Sequence, residues 1–378
     1  MRARDLGIRI GRMTPGERNA ITDVAGVRVG HATIISGDGP LQVGHGPVRT
    51  GVTVVVPHAG DIWTEPLFAG CHRLNGAGEL TGLEWVRESG LLGGAIGLTN
   101  THSVGIVRDA LVAQAVKAHG PRETFWSLPV VGETYDGALN DINGFHVRAS
   151  HVGDALRAAR SGPVVEGNVG GGTGMICHEF KGGIGTASRL TEGEAGEGWT
   201  VGVLVQANYG IRELLRVDGV PVGAAIARDE VPSPWGQVRA LDAGGGPEAG
   251  SIIAIVATDA PLLPHQCVRL AQRVSLGLAR MGSYAAHGSG DLFLAFATGN
   301  RDLSSHAGED DPRPTVQLRM VADAAISPLL EATVEATEEA IVNALLAAET
   351  MTGRDGITAH ALDPNRLLAV MRAHGRAS

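Results

Sequence analysis

The 378-residue chain predicts an α/β fold, a four-layer α/β/β/α sandwich with two stacked sheets inside and helices outside. Three observations predict it. Residues 19–57 alternate short β-rich runs with glycine turns. Beyond residue 250 the order becomes strand, helix, strand, helix. The two strands there, Ser251 to Thr258 and Leu292 to Thr298, consist of small, β-branched and aromatic apolar residues and read as buried.

The elements follow in order. Ile21 to Gly30 and Gly51 to Pro57 read as strands, and Gly78 to Val86 as a helix ended near Gly90. Leu92 to Leu98 is a glycine-interrupted apolar strand leading into Thr99-Asn100-Thr101-His102, and a helix follows from Val104 to about His119. Val130 to Gly137 ends a strand in a polar turn, which Asn140-Asp141-Ile142-Asn143-Gly144 continues. His151 to Arg160 reads as a short helix, and Val201 to Gly210 as a strong strand that stops on Asn208. From Glu230 to Gly250 a Pro/Gly/Asp-rich connector forms the one clear break in composition. His265 to Met281 places Val268, Ala271, Val274, Leu278 and Met281 on one helical face. Val321 to Met351 is helical, with an interruption expected at Ser327-Pro328.

Composition narrows the function. A net charge of −9 and the absence of a Lys/Arg cluster argue against nucleic acid as a partner. No apolar run reaches membrane-spanning length, so no membrane association is expected. Met1 to Gly7 carries basic residues with no apolar segment behind them, unlike a secretory signal. Cys71, Cys177 and Cys267 are odd in number and lack CxxC spacing, which argues against a disulfide framework or zinc site and fits a reducing cytoplasm. The 55 glycines, about twice ordinary usage, show no collagen-like period and mean many tight turns.

The chemistry concentrates where Gly244-Gly245-Gly246-Pro247-Glu248-Ala249-Gly250 runs into Ser251. One reading is a loop-to-strand junction capped by Ser251. The other is self-cleavage: the Ser251 hydroxyl attacks the Gly250 carbonyl, an N→O acyl shift gives an ester, and water releases Ser251 as a new N-terminus. An α-amine with an ordinary pKa of about 8 can then act as base to its own hydroxyl. A second strand mouth, Gly288-Ser289-Gly290-Asp291, presents a hydroxyl and a carboxylate that the period of two puts on one face. It too has a plain reading as a turn. Asn208 is either a polar strand end or an amide donor to an oxyanion.

Gly167 to Met175 has neither P-loop nor dinucleotide spacing, and reads as a turn or a backbone-lined substrate site. His72, His102 and His287 read as ordinary histidines, no Ser–His–Asp order stands out, and no metal-binding spacing exists.

Several separated motifs, in order, resemble the L-aminopeptidase D-Ala-esterase/amidase family, which includes the β-peptidyl aminopeptidases. They include Arg2 to Gly7, Asn19 to Val24, Gly46 to Thr53, Glu133-Thr134-Tyr135-Asp136-Gly137, Asn140-Asp141-Ile142 and Gly170 to Met175. Val205 to Gly210, Gly250-Ser251-Ile252 and Gly288-Ser289-Gly290-Asp291 complete the set.

The resemblance implies a single catalytic domain over 1–378, with the layering of N-terminal-nucleophile hydrolases but different connectivity. It implies self-cleavage into 1–250 and 251–378 and assembly as a homotetramer of the cleaved pairs. Ser251 would be the nucleophile, cut from Gly250. Ser289 and Asp291 would hold and tune its amine and hydroxyl; some relatives carry Glu in place of Asp291. Asn208 would furnish the oxyanion hole, Tyr135 would line the active site, and Glu133 would hold the substrate's free amine. The substrate would be a small peptide or an aminoacyl amide or ester, L-, D- or β-, with no metal or cofactor. Two alternatives stand beside this reading. One is acyl transfer of the ornithine acetyltransferase type, which uses threonine where this chain has Ser251. The other is an uncleaved small-ligand-binding protein.

Overall fold

The structure is a computed structural model that describes residues 1–120, 125–192, 198–241, 250–303 and 315–376. The glycine run from Gly244 to Ala249 lies outside the described residues. Among the described residues ten strands build the two main sheets. The smaller contains β1 (Arg28–Ser36), β2 (Val48–Val56), β5 (Ile96–Asn100) and β6 (Val130–Thr134), in the order β1-β2-β5-β6. The larger contains β3 (Leu67–Gly76), β4 (Leu91–Leu92), β7 (Gly183–Leu190), β8 (Thr200–Asn208), β9 (Ser251–Thr258) and β10 (Gly290–Ala297). Its order is β4-β3-β10-β9-β8-β7, with β9 and β10 parallel and their outer neighbours antiparallel to them.

Strand alternation sorts the side chains into layers. Leu204, Ile253, Ile255, Leu292, Leu294 and Phe296 pack against Val29, Val55, Ile96, Leu98 and Val130 of the smaller sheet. Their out-of-phase neighbours, Val203, Val205, Ile252, Ala254, Phe293 and Ala295, pack with Leu270, Val274, Leu278, Ala336 and Ala340. Those last five come from α5 (Pro264–Arg280) and α6 (Ser327–Ala347). The smaller sheet's other face carries α2 (Val104–His119) and α3 (Ala149–Ala158) through Val52, Val54, Val107, Leu111 and Val152. Four layers result, as the sequence predicts. Among the described residues the other helices longer than one turn are α1 (Leu83–Ser89), α4 (Pro234–Ala240) and α7 (Pro364–Ala373). Among the described residues no helix is long and apolar enough to cross a membrane.

Several boundaries differ from expectation. Ile21–Asp23 is a single 3-10 turn, fixed by Asp23 accepting the Ala20 N–H at 3.1 Å, and the strand begins only at Arg28. Residues 93–95 interrupt the predicted Leu92–Leu98 strand, sending β4 to the larger sheet and β5 to the smaller. The helix predicted from Gly78 starts at Leu83, because Gly82 adopts φ 73° at its N-cap. Pro328 lies in the first turn of α6, where proline's missing N–H costs nothing, so it opens the helix. The connector 230–250 holds α4, capped by Ser233.

Candidate active site

Ser251 is the first residue of β9 and is buried. It pairs with Asn208, the last residue of β8, on one side and with Gly290, the first of β10, on the other. The Gly290 N–H donates to the Gly250 carbonyl at 3.1 Å, so the oxygen of the peptide bond preceding Ser251 has a backbone donor. Glycine is required at both ends of this contact. A Cβ on Gly250 would lie 2.6 Å from the Asn208 carbonyl oxygen, and one on Gly290 would lie 2.5 Å from that of Ala77.

Ser251 is in phase with Ile253, on the side facing the smaller sheet, and Asn208 is in phase with Leu204 on the same side. The Asn208 amide is held at both ends. Its Oδ1 accepts the Ile176 N–H at 2.8 Å, and its Nδ2 donates to the Tyr135 carbonyl at 3.0 Å, which leaves one Nδ2 proton available. Tyr135 follows β6 with a half-exposed ring. Glu133, two residues earlier, is buried and accepts from the Glu79 N–H at 3.0 Å and from the Thr101 hydroxyl. Burial pushes its carboxyl above the usual range, against these two hydrogen bonds. A Cβ on Gly78 would touch both Glu133 Oε1 (3.0 Å) and Gly290 Cα (3.2 Å), which puts that carboxylate beside the β10 mouth. A groove lined by Gly78, Glu79, Leu80, Trp85, Leu128 and Leu292 opens there.

Ser289 and Asp291 are in phase with Phe293 and so belong to the helix side of the sheet. The Ser289 hydroxyl donates to Asp291 Oδ1 at 2.7 Å, as the period of two predicts. Asp291 Oδ2 is buried without a partner among the described residues, and burial raises the carboxyl to about 6. The hydroxyl–carboxylate pair therefore lies on the helix side of the sheet, and the Ser251 and Asn208 side chains lie on the other.

All seven residues singled out in the sequence meet at this one end of the sandwich. His102 instead stacks on Phe145 (5.9 Å between centroids) and His72 packs beside Phe293 (6.2 Å). The Gly167–Met175 stretch is a buried turn. Gly171 and Gly172 touch Gln206 and Ile184 so closely that a Cβ would fall 2.1 Å and 2.4 Å from them.

Sequence reasoning missed the supports. Gln206 Nε2 ties the two sheets together, donating to the Thr99 carbonyl and the Thr134 hydroxyl at 2.8 Å each. Lys181 is fully buried and donates to the carbonyls of Gly172 (3.3 Å), Met175 (2.8 Å) and Gly182 (2.8 Å). One signal was available for it: only two lysines, Lys117 and Lys181, occur in a chain with 31 Lys and Arg residues.

A four-layer sandwich with a serine at the mouth of a central strand and a fixed amide paired beside it is the layering and the kind of site found in hydrolases of the N-terminal-nucleophile fold class. The chain belongs to peptidase family S58, whose signature it matches over residues 19–359. It is 49% identical over 377 residues to the β-peptidyl aminopeptidase BapA of Sphingosinicella microcystinivorans, covering 99% of this chain and 93% of that protein. Among solved structures, a Burkholderia sp. β-aminopeptidase superposes with a TM-score of 0.90 at 55% identity, with 99% of each chain covered. The L-aminopeptidase D-Ala-esterase/amidase of Ochrobactrum anthropi, described as a new variant of the Ntn-hydrolase fold, gives 0.89 at 43%, covering 100% of this chain and 99% of that one. The chain is thus an aminopeptidase, as the motif resemblance predicted.

Proposed function

We propose that this aminopeptidase cuts its own Gly250–Ser251 bond and then uses the freed Ser251 as nucleophile and base. The observation that carries the reading is the Gly290 N–H on the Gly250 carbonyl at 3.1 Å, which polarises the bond the Ser251 hydroxyl would attack. In self-cleavage the Ser251 oxygen adds to the Gly250 carbonyl carbon and the peptide nitrogen leaves as the Ser251 amine. Water then hydrolyses the ester, giving a 1–250 chain ending in a carboxylate and a 251–378 chain beginning with an amine.

In turnover, the Ser251 hydroxyl passes its proton to that amine and attacks the first carbonyl of a substrate. Asn208 gives its remaining Nδ2 proton to the oxyanion, a contribution on the order of 3 kcal/mol for one such donor. The leaving group takes that proton from the Ser251 ammonium and departs, and water, giving a proton to the regenerated Ser251 amine, attacks the ester and releases the acyl group as the acid while the Ser251 hydroxyl is restored. Ser289 and Asp291 hold the amine from the helix side of the sheet, and ionised Asp291 favours its proton uptake. Glu133 takes the substrate's ammonium, and the Tyr135 ring covers the acyl group.

The substrate is a peptide, amide or ester with a free amino terminus, with β-aminoacyl groups among those accepted. The β-peptidyl and β-aminopeptidase relatives at 49% and 55% identity support that choice. Comparison of β-alanyl with L-alanyl p-nitroanilide tests it: measurable β-alanyl turnover is expected, and L-only turnover would overturn it. The assembly is a cytoplasmic homotetramer of cleaved pairs, which native mass spectrometry tests.

A further inference from the structure

Lys181 has no place in the mechanism above, yet burying an ammonium is expensive unless something nearby requires it. It lies on a tight hairpin in which Ile176 pairs with Lys181 and Cys177 with Phe180. His178 and Glu179 form the turn, both with positive φ (49° and 65°). Among the described residues no carboxylate lies within ion-pair distance of its Nζ. All three of its protons are instead directed at backbone carbonyls.

One of those carbonyls matters more than the others. The Met175 oxygen accepts both Lys181 Nζ at 2.8 Å and the Gly182 N–H at 2.9 Å. The same peptide group carries, on its other end, the Ile176 N–H that donates to Asn208 Oδ1 at 2.8 Å. A cation on the carbonyl side of an amide makes its N–H a stronger donor. An amide oxygen that accepts a stronger bond in turn makes its own NH2 a stronger donor. The ammonium is thus in series with the Asn208 Nδ2 proton.

We propose that Lys181 is a positioning residue for the oxyanion donor, acting on Asn208 through the Met175–Ile176 peptide. This rests on the reading of Asn208 as that donor. The geometry also explains why the residue is lysine. Three carbonyls converge on one compact centre with three donors, which a planar guanidinium cannot reproduce. Burial brings the amine down to about 7, against which the nearby Asp136 carboxylate acts.

The test is a double-mutant cycle on Lys181→Met and Asn208→Ala. Steady-state rates on an aminoacyl p-nitroanilide are expressed per self-cleaved chain, counted by intact mass. Lys181→Met is expected to lower kcat by about tenfold to hundredfold. KM should stay within about twofold, and the same change in the Asn208→Ala background should cost less than about threefold. Where Lys181→Met does not fold, Lys181→Gln, which keeps two N–H donors without the charge, is put through the same cycle with the same expected direction. An undiminished kcat, or an equal loss with and without Asn208, overturns the role of Lys181 while Asn208 keeps its own. An undiminished kcat in Asn208→Ala alone overturns the reading beneath it, and the Lys181 role with it.

Discussion

The Asn208 side chain shows how the site is specified one residue at a time. An unconstrained amide could present either oxygen or nitrogen to the substrate, but here the Ile176 N–H claims the oxygen at 2.8 Å. Asn208→Ala should therefore lower kcat by about 10²–10³ with little change in KM, read from steady-state kinetics. Glu133→Gln should act differently, because a buried carboxylate is matched to an ammonium and a carboxamide is not. The expected loss is in kcat/KM for free-amine substrates, with weaker discrimination against N-acetylated ones; equal loss for both would contradict the role. Asp291 offers a prediction with two opposite signs. Its carboxyl titrates at about 6 when folded, above about 3.9 when unfolded, so between those values the folded state binds more protons. Stability contributed there falls as pH rises. Asp291→Asn should raise the melting temperature near pH 8 and nearly abolish turnover; a lower melting temperature would contradict the account.

At the scale of elements, strand mouths do the positioning. β8, β9 and β10 put Asn208, Ser251 and Gly290 side by side, and residues 250 and 290 must be glycine for the backbones to approach. Gly290→Ala would push a methyl to 2.5 Å from the Ala77 oxygen and is expected to slow self-cleavage strongly, followed by intact mass against time. Much of this was legible in the sequence. Val104–His119 matches its predicted bounds, and the buried strands at 251 and 292 are right to within two residues, because apolar run length and periodicity report directly on burial. Ser289 and Asp291 share a face because a strand alternates. What was not legible depends on contacts far apart in sequence. No local pattern brings Glu133 beside Gly290, 157 positions later, or aims Lys181 at the Met175–Ile176 peptide. Gly167–Met175 reads equally as a turn or a backbone-lined substrate site, and is a closely packed turn, because close packing and ligand cradling call for the same residue.

Across the whole molecule, the strand order makes the two proposed pieces inseparable. In β4-β3-β10-β9-β8-β7 the two strands that follow Ser251 are central, and strands that precede it flank them on both sides. The halves are also joined by a buried ion network. Arg189 Nε meets Glu335 at 3.0 Å and its Nη2 meets Glu339 at 2.6 Å, and Glu339 also takes Arg4 at 2.8 Å. Glu335 and Glu339 lie on α6, in the second piece. Cleaved protein should therefore elute from gel filtration as one species and unfold in one transition. Separation without denaturant would contradict the interleaved sheet.

The central claim is that Ser251 frees itself, and intact mass under denaturing conditions tests it most directly, on the purified protein beside Ser251→Ala. The account predicts two chains from the former, 1–250 and 251–378, whose masses sum to the 39.0 kDa chain plus one water, and one uncut chain from the latter. A single 39.0 kDa species from both, unchanged on incubation, would contradict it, because no free α-amine would then exist to serve as base.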